Sequence, residues 1–598
     1  MVIISLMILI MAIALAPQSN SSLDLEQGKN QNSIISGADN VLSGYASNTS
    51  EGLSSLGQAT SARGGISPLL ISRLTSISFL FSGALAYNAL YIQSIGSGLS
   101  IYSGLFQVTV LSQSFDLFIF VLAALILIPW SNGIIKGGQA LKPLIGVTGP
   151  IVSEYSLIVL FSTLGSSLLL SSGNLLSLYL AIELQSFGVY ILATIYRNSE
   201  SATNAGLKYF LLGGLSSCLI LLGCVLIYSY TGLFYFEDIY SLVSSLSLAA
   251  GTAVSVESHG YFDIVTVVQL GLILIFIGFL FKIAAAPFHN WAPDVYNDVP
   301  TIVTTWLSIM PKIAIVVLSF EIISTITPSH SLDIGLLGNL DGFSTFTNLG
   351  LGLKNLLLIA SFLSLVIGTI VGLAQIKIKR LLAYSTISHV GFLLLALSIN
   401  TEESLESLLF YLVQYSITNL NTFFILLAFG YILKKSFNNT KAASTIEQIE
   451  GKEPNKFDIS LISELKGQFW SNPLLSLSLA VSLFSMAGIP PLVGFFAKAQ
   501  VLYSATQNGY YFISLVAIIV SVISAYYYLQ IIKVMHFDSQ ATGSATAGQV
   551  ADQGPVIVVN NTHSFIISTL TLSLLLFMLK PSIILNSIHL IALNIFYS

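Results

Sequence analysis

Hydrophobic side chains make up 54% of this 598-residue chain and charged ones only 8%, whereas a soluble domain carries about 25% charged residues. That balance excludes an ordinary soluble protein and requires an integral membrane protein. The formal net charge of -5 supplies no basic surface for a nucleic-acid partner, and where the basic residues lie matters more than their sum.

A helix crosses a bilayer with about 20 predominantly apolar residues. Runs of that kind, separated by polar punctuation, predict an all-α polytopic protein with about fourteen transmembrane helices: 2–16, 74–93, 105–129, 151–172, 175–196, 205–229, 264–291, 301–323, 355–375, 381–399, 405–433, 474–500, 510–535 and 563–580. The first is short, and a secretory signal is its alternative reading, but no basic residue precedes it. The stretch 582–598 is also apolar and reads as an interfacial tail or an extension of the last span.

The basic residues test the count independently. Loops after odd-numbered spans carry Lys29, Arg63, Arg73, Lys136, Lys142, Arg197, Lys377, Lys379, Arg380, Lys434, Lys435, Lys441, Lys452, Lys456, Lys466 and Lys533, while loops after even-numbered spans carry none apart from Lys354 at the end of one. A miscounted span would shift the parity of everything after it. By the positive-inside rule the basic loops face the compartment of insertion and both termini face the other side. The acidic loop near 292–300 is the exception, and its shortness suggests part of a broken helix.

The parts outside the membrane are small. Residues 17–72 are rich in Ser, Asn and Gly and read as a polar loop. Residues 231–262, 324–353, 434–472 and 537–562 are the other long connections. None shows a nucleotide-binding glycine pattern, so no directly bound nucleotide is expected. Cys218 and Cys224 are too few for a zinc or iron–sulfur site and read as packing residues.

Ionisable residues inside the spans carry the functional question, because a bare charge in hydrocarbon costs several kcal/mol and persists only when paired, hydrated or used. They are Glu183 in the fifth span, Lys282 in the seventh, Lys312 in the eighth and Lys498 in the twelfth. Pro287 follows Lys282 closely, and the pair Pro490-Pro491 precedes Lys498. Proline inside a helix removes a hydrogen bond and frees carbonyls that only protein or water can cover, so two broken helices with lysines near the breaks fit a buried polar pathway. Spans seven and twelve are five apart, and equivalent five-helix units would therefore be inverted in the membrane. The expected division is 1–150 (spans 1–3 with loop 17–72), 151–323 (first five-helix unit), 355–535 (second unit) and 536–598 (loop, last span and tail).

Several motifs in shared order resemble the antiporter-like membrane subunits of respiratory complex I. They are Leu178-Tyr179-Leu180-Ala181-Ile182-Glu183-Leu184-Gln185-Ser186, Leu207-Lys208-Tyr209-Phe210, Phe281-Lys282 through Pro287-Phe288-His289 to Pro293-Asp294-Val295-Tyr296, Met310-Pro311-Lys312, Lys379-Arg380-Leu381 through Ser388-His389, and Glu464-Leu465-Lys466-Gly467 leading to Gly488-Ile489-Pro490-Pro491. The resemblance covers about 100–535. It is closest to the chain 2 type, because Lys498 stands where the chain 4 type carries a glutamate and the lateral C-terminal helix of the chain 5 type is missing. Asp298 replaces a usual glycine, and the polar loop 17–72 is unusually long.

The resemblance implies proton translocation as a subunit of NADH:ubiquinone oxidoreductase, with NADH, FMN, iron–sulfur clusters and ubiquinone held by other subunits and no cofactor on this chain. It implies other complex I membrane subunits and lipids as partners. The setting would be the mitochondrial inner membrane with termini toward the intermembrane space, or alternatively a bacterial plasma membrane.

Burial favours the neutral form of lysine and a neighbouring carboxylate the charged form, so Glu183 and Lys282 would make a switchable pair. Lys312 and His389 would pass the proton laterally, histidine suiting the middle because it titrates near neutrality. Lys498 would exchange the proton with one side, and Lys208 would support the opposite end. Bland readings stand beside these: a static ion pair, snorkelling Lys312 and Lys498, a packing His389, and aromatic residues as lipid-facing or packing groups. Rival functions are a stand-alone or multi-subunit cation/proton antiporter and a purely structural membrane subunit.

Overall fold

A computed structural model describes residues 1–15, 68–92, 98–128, 134–135, 154–196, 199–252, 259–326, 344–438, 458–538, 557–558 and 561–597. Its helices are α1 (Val2–Leu15), α2 (Pro68–Ala89), α3 (Val110–Leu127), α4 (Glu154–Leu170), α5 (Leu175–Thr194), α6 (Glu200–Thr231), α7 (Phe236–Thr252), α8 (His259–Lys282), α9 (Trp291–Asp298), α10 (Thr301–Ile326), α11 (Ser344–Leu373), α12 (Ile378–Ile399), α13 (Glu402–Asn438), α14 (Pro473–Ala487), α15 (Val493–Gln507), α16 (Tyr511–His536), α17 (Asn561–Leu576) and α18 (Ser582–Tyr597). Every predicted run falls on helix. Among the described residues, ten helices are long and apolar enough to cross a membrane, and five shorter ones are apolar. The loop residues Lys29, Arg63, Lys136, Lys142, Arg197, Lys441, Lys452 and Lys456 lie outside the described residues, as does most of 17–72.

Three local features differ from expectation. The connection 231–262 contains α7, whose Phe236, Ile239 and Val243 are buried. That spacing makes one apolar face of a short amphipathic helix, which a search for twenty-residue runs passes over. A hairpin of β1 (Leu99–Ile101) and β2 (Phe106–Val108) precedes α3. Helix α11 begins at Ser344, so Lys354 is intrahelical, with its ammonium 5.0 Å from the Tyr510 ring centroid.

Glycine contacts reveal a repeated packing unit. Gly165 on α4 faces α5 so closely that a Cβ would come within 2.5 Å of the Gln185 nitrogen, and one on Gly188 would lie 2.9 Å from Ser162 Cβ on α4. The same exchange recurs between α11 and α12, where Gly368 meets the Ser388 nitrogen at 2.7 Å and Gly391 meets Ser364 Oγ at 2.6 Å. The two glycines of each pair are equally far apart in sequence. These helices are the fourth and fifth predicted spans and the ninth and tenth, so the second pair runs opposite to the first, as an inverted repeat requires. On the outer face of α6, Leu207, Leu211 and Leu215 stay exposed at helical spacing and offer the lipid an apolar stripe.

The acidic exception among the loops is explained by pairing. Asp294 on α9 accepts a hydrogen bond from Lys208 on α6 at 3.3 Å and another from Arg380 on α12. Nearby, Asp458 accepts from Lys379 and, at 2.9 Å, from the Thr301 backbone N–H that opens α10. Carboxylates from this short connection and from a basic loop thus tie α6, α9, α10 and α12 together at the basic-loop end of the bundle.

Candidate functional site

Lys282 is the last residue of α8, because the helix breaks there: Ala284 takes φ of 60° and the chain is irregular until α9. The Trp291 indole N–H donates to the Phe281 carbonyl at 3.0 Å and so covers one of the groups the break exposes. A cation at a helix C-terminus is also favoured by the aligned peptide dipoles. The Lys282 ammonium donates to Ser186 Oγ at 2.6 Å, Ser217 Oγ at 3.1 Å and Glu183 Oε1 at 3.5 Å. Glu183 and Ser186 are one turn apart on α5, which places both on the face turned to α8. The expected pair therefore forms, within a cradle of two hydroxyls.

Lys312 lies in the interior of α10 and is 2% exposed, so it does not snorkel. Pro311 beside it removes one intrahelical donor. Lys312 Nζ donates to the Tyr415 hydroxyl at 3.1 Å, and that hydroxyl donates to the Ser308 carbonyl at 3.1 Å. The Tyr296 and Tyr415 rings flank the ammonium at 5.9 and 5.5 Å from their centroids. Beyond Tyr415, at a ring-centroid distance of 5.8 Å, sits His389 on α12. Its Nδ1 contacts the Tyr411 hydroxyl at 2.7 Å and its Nε2 the Tyr528 hydroxyl at 3.3 Å. A neutral imidazole donates from one nitrogen and accepts at the other, so His389 bridges two hydroxyls.

Lys498 projects from α15 back to the end of α14, where Nζ donates to the Met486 and Ala487 carbonyls, each at 2.9 Å. Gly488, at φ of 85°, makes the turn between the half-helices. The Phe392 ring centroid lies 5.6 Å from Nζ, and Phe392 stacks on Tyr411 at 5.6 Å. The prolines stand on opposite sides of Lys282 and Lys498 in sequence, yet both ammoniums occupy the C-terminal end of the first half of a broken span. The two breaks are thus equivalent in electrostatic terms.

The buried groups form one string. From Lys282 it runs past Tyr190, with centroid distances of 4.7 Å to Tyr209, 4.5 Å on to Trp291 and 6.3 Å on to Tyr296, and then reaches Lys312, Tyr415, His389, Tyr411, Phe392 and Lys498. Expecting aromatic residues only to pack or face lipid is corrected here, since Tyr296, Tyr411, Tyr415 and Tyr528 are buried around the ionisable groups. Asn421 on α13 buries both amide ends without hydrogen-bond partners among the described residues. Buried amides of that kind are ordinarily satisfied by water. Glu183 is the one carboxylate within salt-bridge distance of Lys282, Lys312 or Lys498 among the described residues. Lys208 is not part of this string: it pairs with Asp294, its side chain 58% exposed. Ser186 and the tyrosines were missed in sequence, although Ser186 stands three residues after Glu183 and Tyr411 and Tyr415 are four apart, both spacings marking a shared helix face.

The model of the NADH:quinone oxidoreductase/Mrp antiporter transmembrane family matches residues 172–326 and 322–524. NADH-ubiquinone oxidoreductase chain 2 of Rhizopus oryzae is 50% identical over 561 residues, which cover 89% of this chain and 96% of that one. The chain belongs to this family. NADH-quinone oxidoreductase subunit N of a Wolbachia strain is 39% identical over 382 residues, 64% of this chain and 69% of its own. A chain of respiratory complex I from Thermus thermophilus superposes with a TM-score of 0.61 at 25% identity, covering 90% of this chain and 96% of that one. The two matched family segments each contain one broken span, α8–α9 in the first and α14–α15 in the second.

Proposed function

We propose that this chain is a proton-translocating membrane subunit of an NADH:ubiquinone oxidoreductase and that the ionisable and hydroxyl groups from Glu183 and Lys282 to Lys498, with water bridging the aromatic gaps between them, carry the proton laterally. The observation that carries this reading is a set of three lysines and a histidine, each less than 9% exposed inside the helix bundle, with hydroxyls bonded to Lys282, Lys312 and His389. Positive charge placed on any one lysine changes the energy of charge on the next, so moving Glu183 or its hydrogen bonds at one end shifts proton occupancy along the string. Redox chemistry resides in other subunits, and this chain supplies the coupled translocation. The membrane is the mitochondrial inner membrane or a bacterial plasma membrane, with the termini on the side opposite the basic loops.

The test is Lys282→Ala in a complex that still assembles. The rate of proton pumping, and with it the number of protons moved per quinone reduced, should fall, the rate by about ten-fold for a loss of about 1.4 kcal/mol of coupling. Pumping at the normal ratio removes Lys282 from the mechanism. Isolation of the native protein in a cation antiporter without iron–sulfur partners would transfer the same string to that function.

A further inference from the structure

Asp116 belongs to none of the groups described above. It lies on α3, is 8% exposed, and its Oδ1 is buried without a hydrogen-bond partner among the described residues. It lines a cavity of about 320 Å³ between α1, α2, α3 and α4. An isolated buried carboxyl surrounded by apolar walls is costly and is kept where something meets it.

The position of the cavity narrows the ligand. Its lining comes from the start of α1, the end of α2, the start of α3 and the end of α4. It therefore opens at the end of the bundle opposite the basic loops, with Asp116 about 9 Å along α3 from its start at 1.5 Å per residue. Headgroup layers are about 5–8 Å deep on each side of a hydrocarbon core of about 30 Å, so a carboxyl at that distance from the helix start suits a ligand that carries both a polar head and acyl chains. The polar lining is Ser82, Gln113, Asp116 and Ser167; no lysine, arginine or histidine takes part, and the Met1 amine, whose residue also lines the cavity, is not among the salt bridges of the described residues. The Ser82 and Ser167 hydroxyls donate to the carbonyls of Phe79 and Leu164, which leaves their oxygen lone pairs as acceptors. Phe120 and Leu168 add apolar wall. The site therefore offers acceptors and an unpartnered carboxyl oxygen beneath an apolar rim. It suits an amphiphile with an N–H-bearing cationic head, and its volume, near the lower end of about 300–1,000 Å³ for small-ligand sites, suits a headgroup rather than whole acyl chains.

We propose that this cavity binds the primary ammonium headgroup of an ethanolamine phospholipid from the leaflet on the side of the termini. Asp116 accepts hydrogen bonds from the ammonium, and the Gln113 amide offers its N–H groups to the phosphate side. A choline head carries no N–H and cannot make these bonds.

The complete complex containing this chain, stripped of lipid in detergent, would be exposed to bicelles of phosphatidylethanolamine, its N-methylated analogues or phosphatidylcholine, and retained lipid counted by native mass spectrometry. The wild type should retain phosphatidylethanolamine about ten-fold better than phosphatidylcholine, in line with the loss of one or two charge-assisted hydrogen bonds. Retention should fall with each added methyl group, and Asp116→Asn should abolish the preference. Equal retention of the two lipids by the wild type overturns the proposal whether or not the variant assembles. So does an Asp116→Asn complex that keeps the preference, or competition by sodium or potassium ions alone that eliminates it, which would make the ligand an inorganic cation.

Discussion

Lys282 Nζ stands 2.6 Å from Ser186 Oγ, closer than the 3.5 Å that separates it from Glu183 Oε1. A carboxylate can only accept from the amine, whereas a hydroxyl accepts from an ammonium and can turn to donate to a neutral amine. Ser186 now donates to the Ile182 carbonyl at 2.6 Å, and rotation of that one O–H would keep Lys282 bonded through a protonation cycle. Ser186→Ala should lower the pumping rate about ten-fold or more, since hydrogen bonds to charged groups are worth about 1.5–3 kcal/mol. Wild-type pumping by an assembled Ser186→Ala complex would reduce the serine to a packing role.

Glu183→Gln keeps the shape of the side chain and one acceptor oxygen but removes the charge. Coupled quinone reductase activity should fall several-fold while the amount of assembled complex, read on native gels, changes little. The reverse pattern, lost assembly with activity preserved in the remainder, identifies a static ion pair that fixes helix packing.

The spans, their broken members and the Glu183–Lys282 pair were legible because each leaves a one-dimensional trace: a run of apolar residues, a proline, a charge where none is tolerated. Parity of the basic loops added a second trace, and Asp294 resolved its exception only once Lys208 and Arg380 were seen beside it. The place of Lys208 was not legible either, since a lysine near a helix start looks alike in sequence whether it turns inward or, as here toward Asp294, outward. The tyrosines were not legible. An aromatic residue suits lipid, core and proton path equally, and only the meeting of α10, α12, α13 and α16 puts Tyr415, Tyr411 and Tyr528 around Lys312 and His389.

Tyr415→Phe isolates the hydroxyl from the ring. Lys312 would lose its acceptor and the Ser308 carbonyl its extra donor, while the packing around His389 stays. The pumping ratio should drop several-fold with thermal stability within about 1 kcal/mol of wild type, the net worth of one buried hydrogen bond. A complex that pumps normally but melts early would show that the hydroxyl serves folding alone.

Asp458 makes a pH-dependent tie outside the spans. Burial pushes its carboxyl up, but the Lys379 ammonium and the Thr301 N–H outweigh burial and hold it below the ordinary carboxylate range. A folded value below the unfolded one, about 3.9, means the stabilisation is present in full above about pH 5 and is lost as pH falls through the folded value. Asp458→Asn should lower stability by about 2 kcal/mol at pH 7, by stranding the buried Lys379 and weakening the start of α10. In detergent melts the gap between variant and wild type should close as pH falls below about 4. A gap unchanged by acidification would mean that the carboxylate charge does not stabilise this tie.

Gly488 tests the second break. At φ of 85° an alanine is strained by about 1–2 kcal/mol, and its Cβ would lie 2.9 Å from Lys498 Cδ and 3.3 Å from Nζ. Gly488→Ala should therefore push the Lys498 ammonium off the Met486 and Ala487 carbonyls as well as destabilise the turn. Gly509 has a similar φ of 81° but open space where its Cβ would stand, so Gly509→Ala carries the backbone strain without the collision. If Lys498 works from its seat at the end of α14, Gly488→Ala should lose pumping that Gly509→Ala retains at a comparable loss of stability. Equal pumping in the two variants would separate the seat of Lys498 from its function.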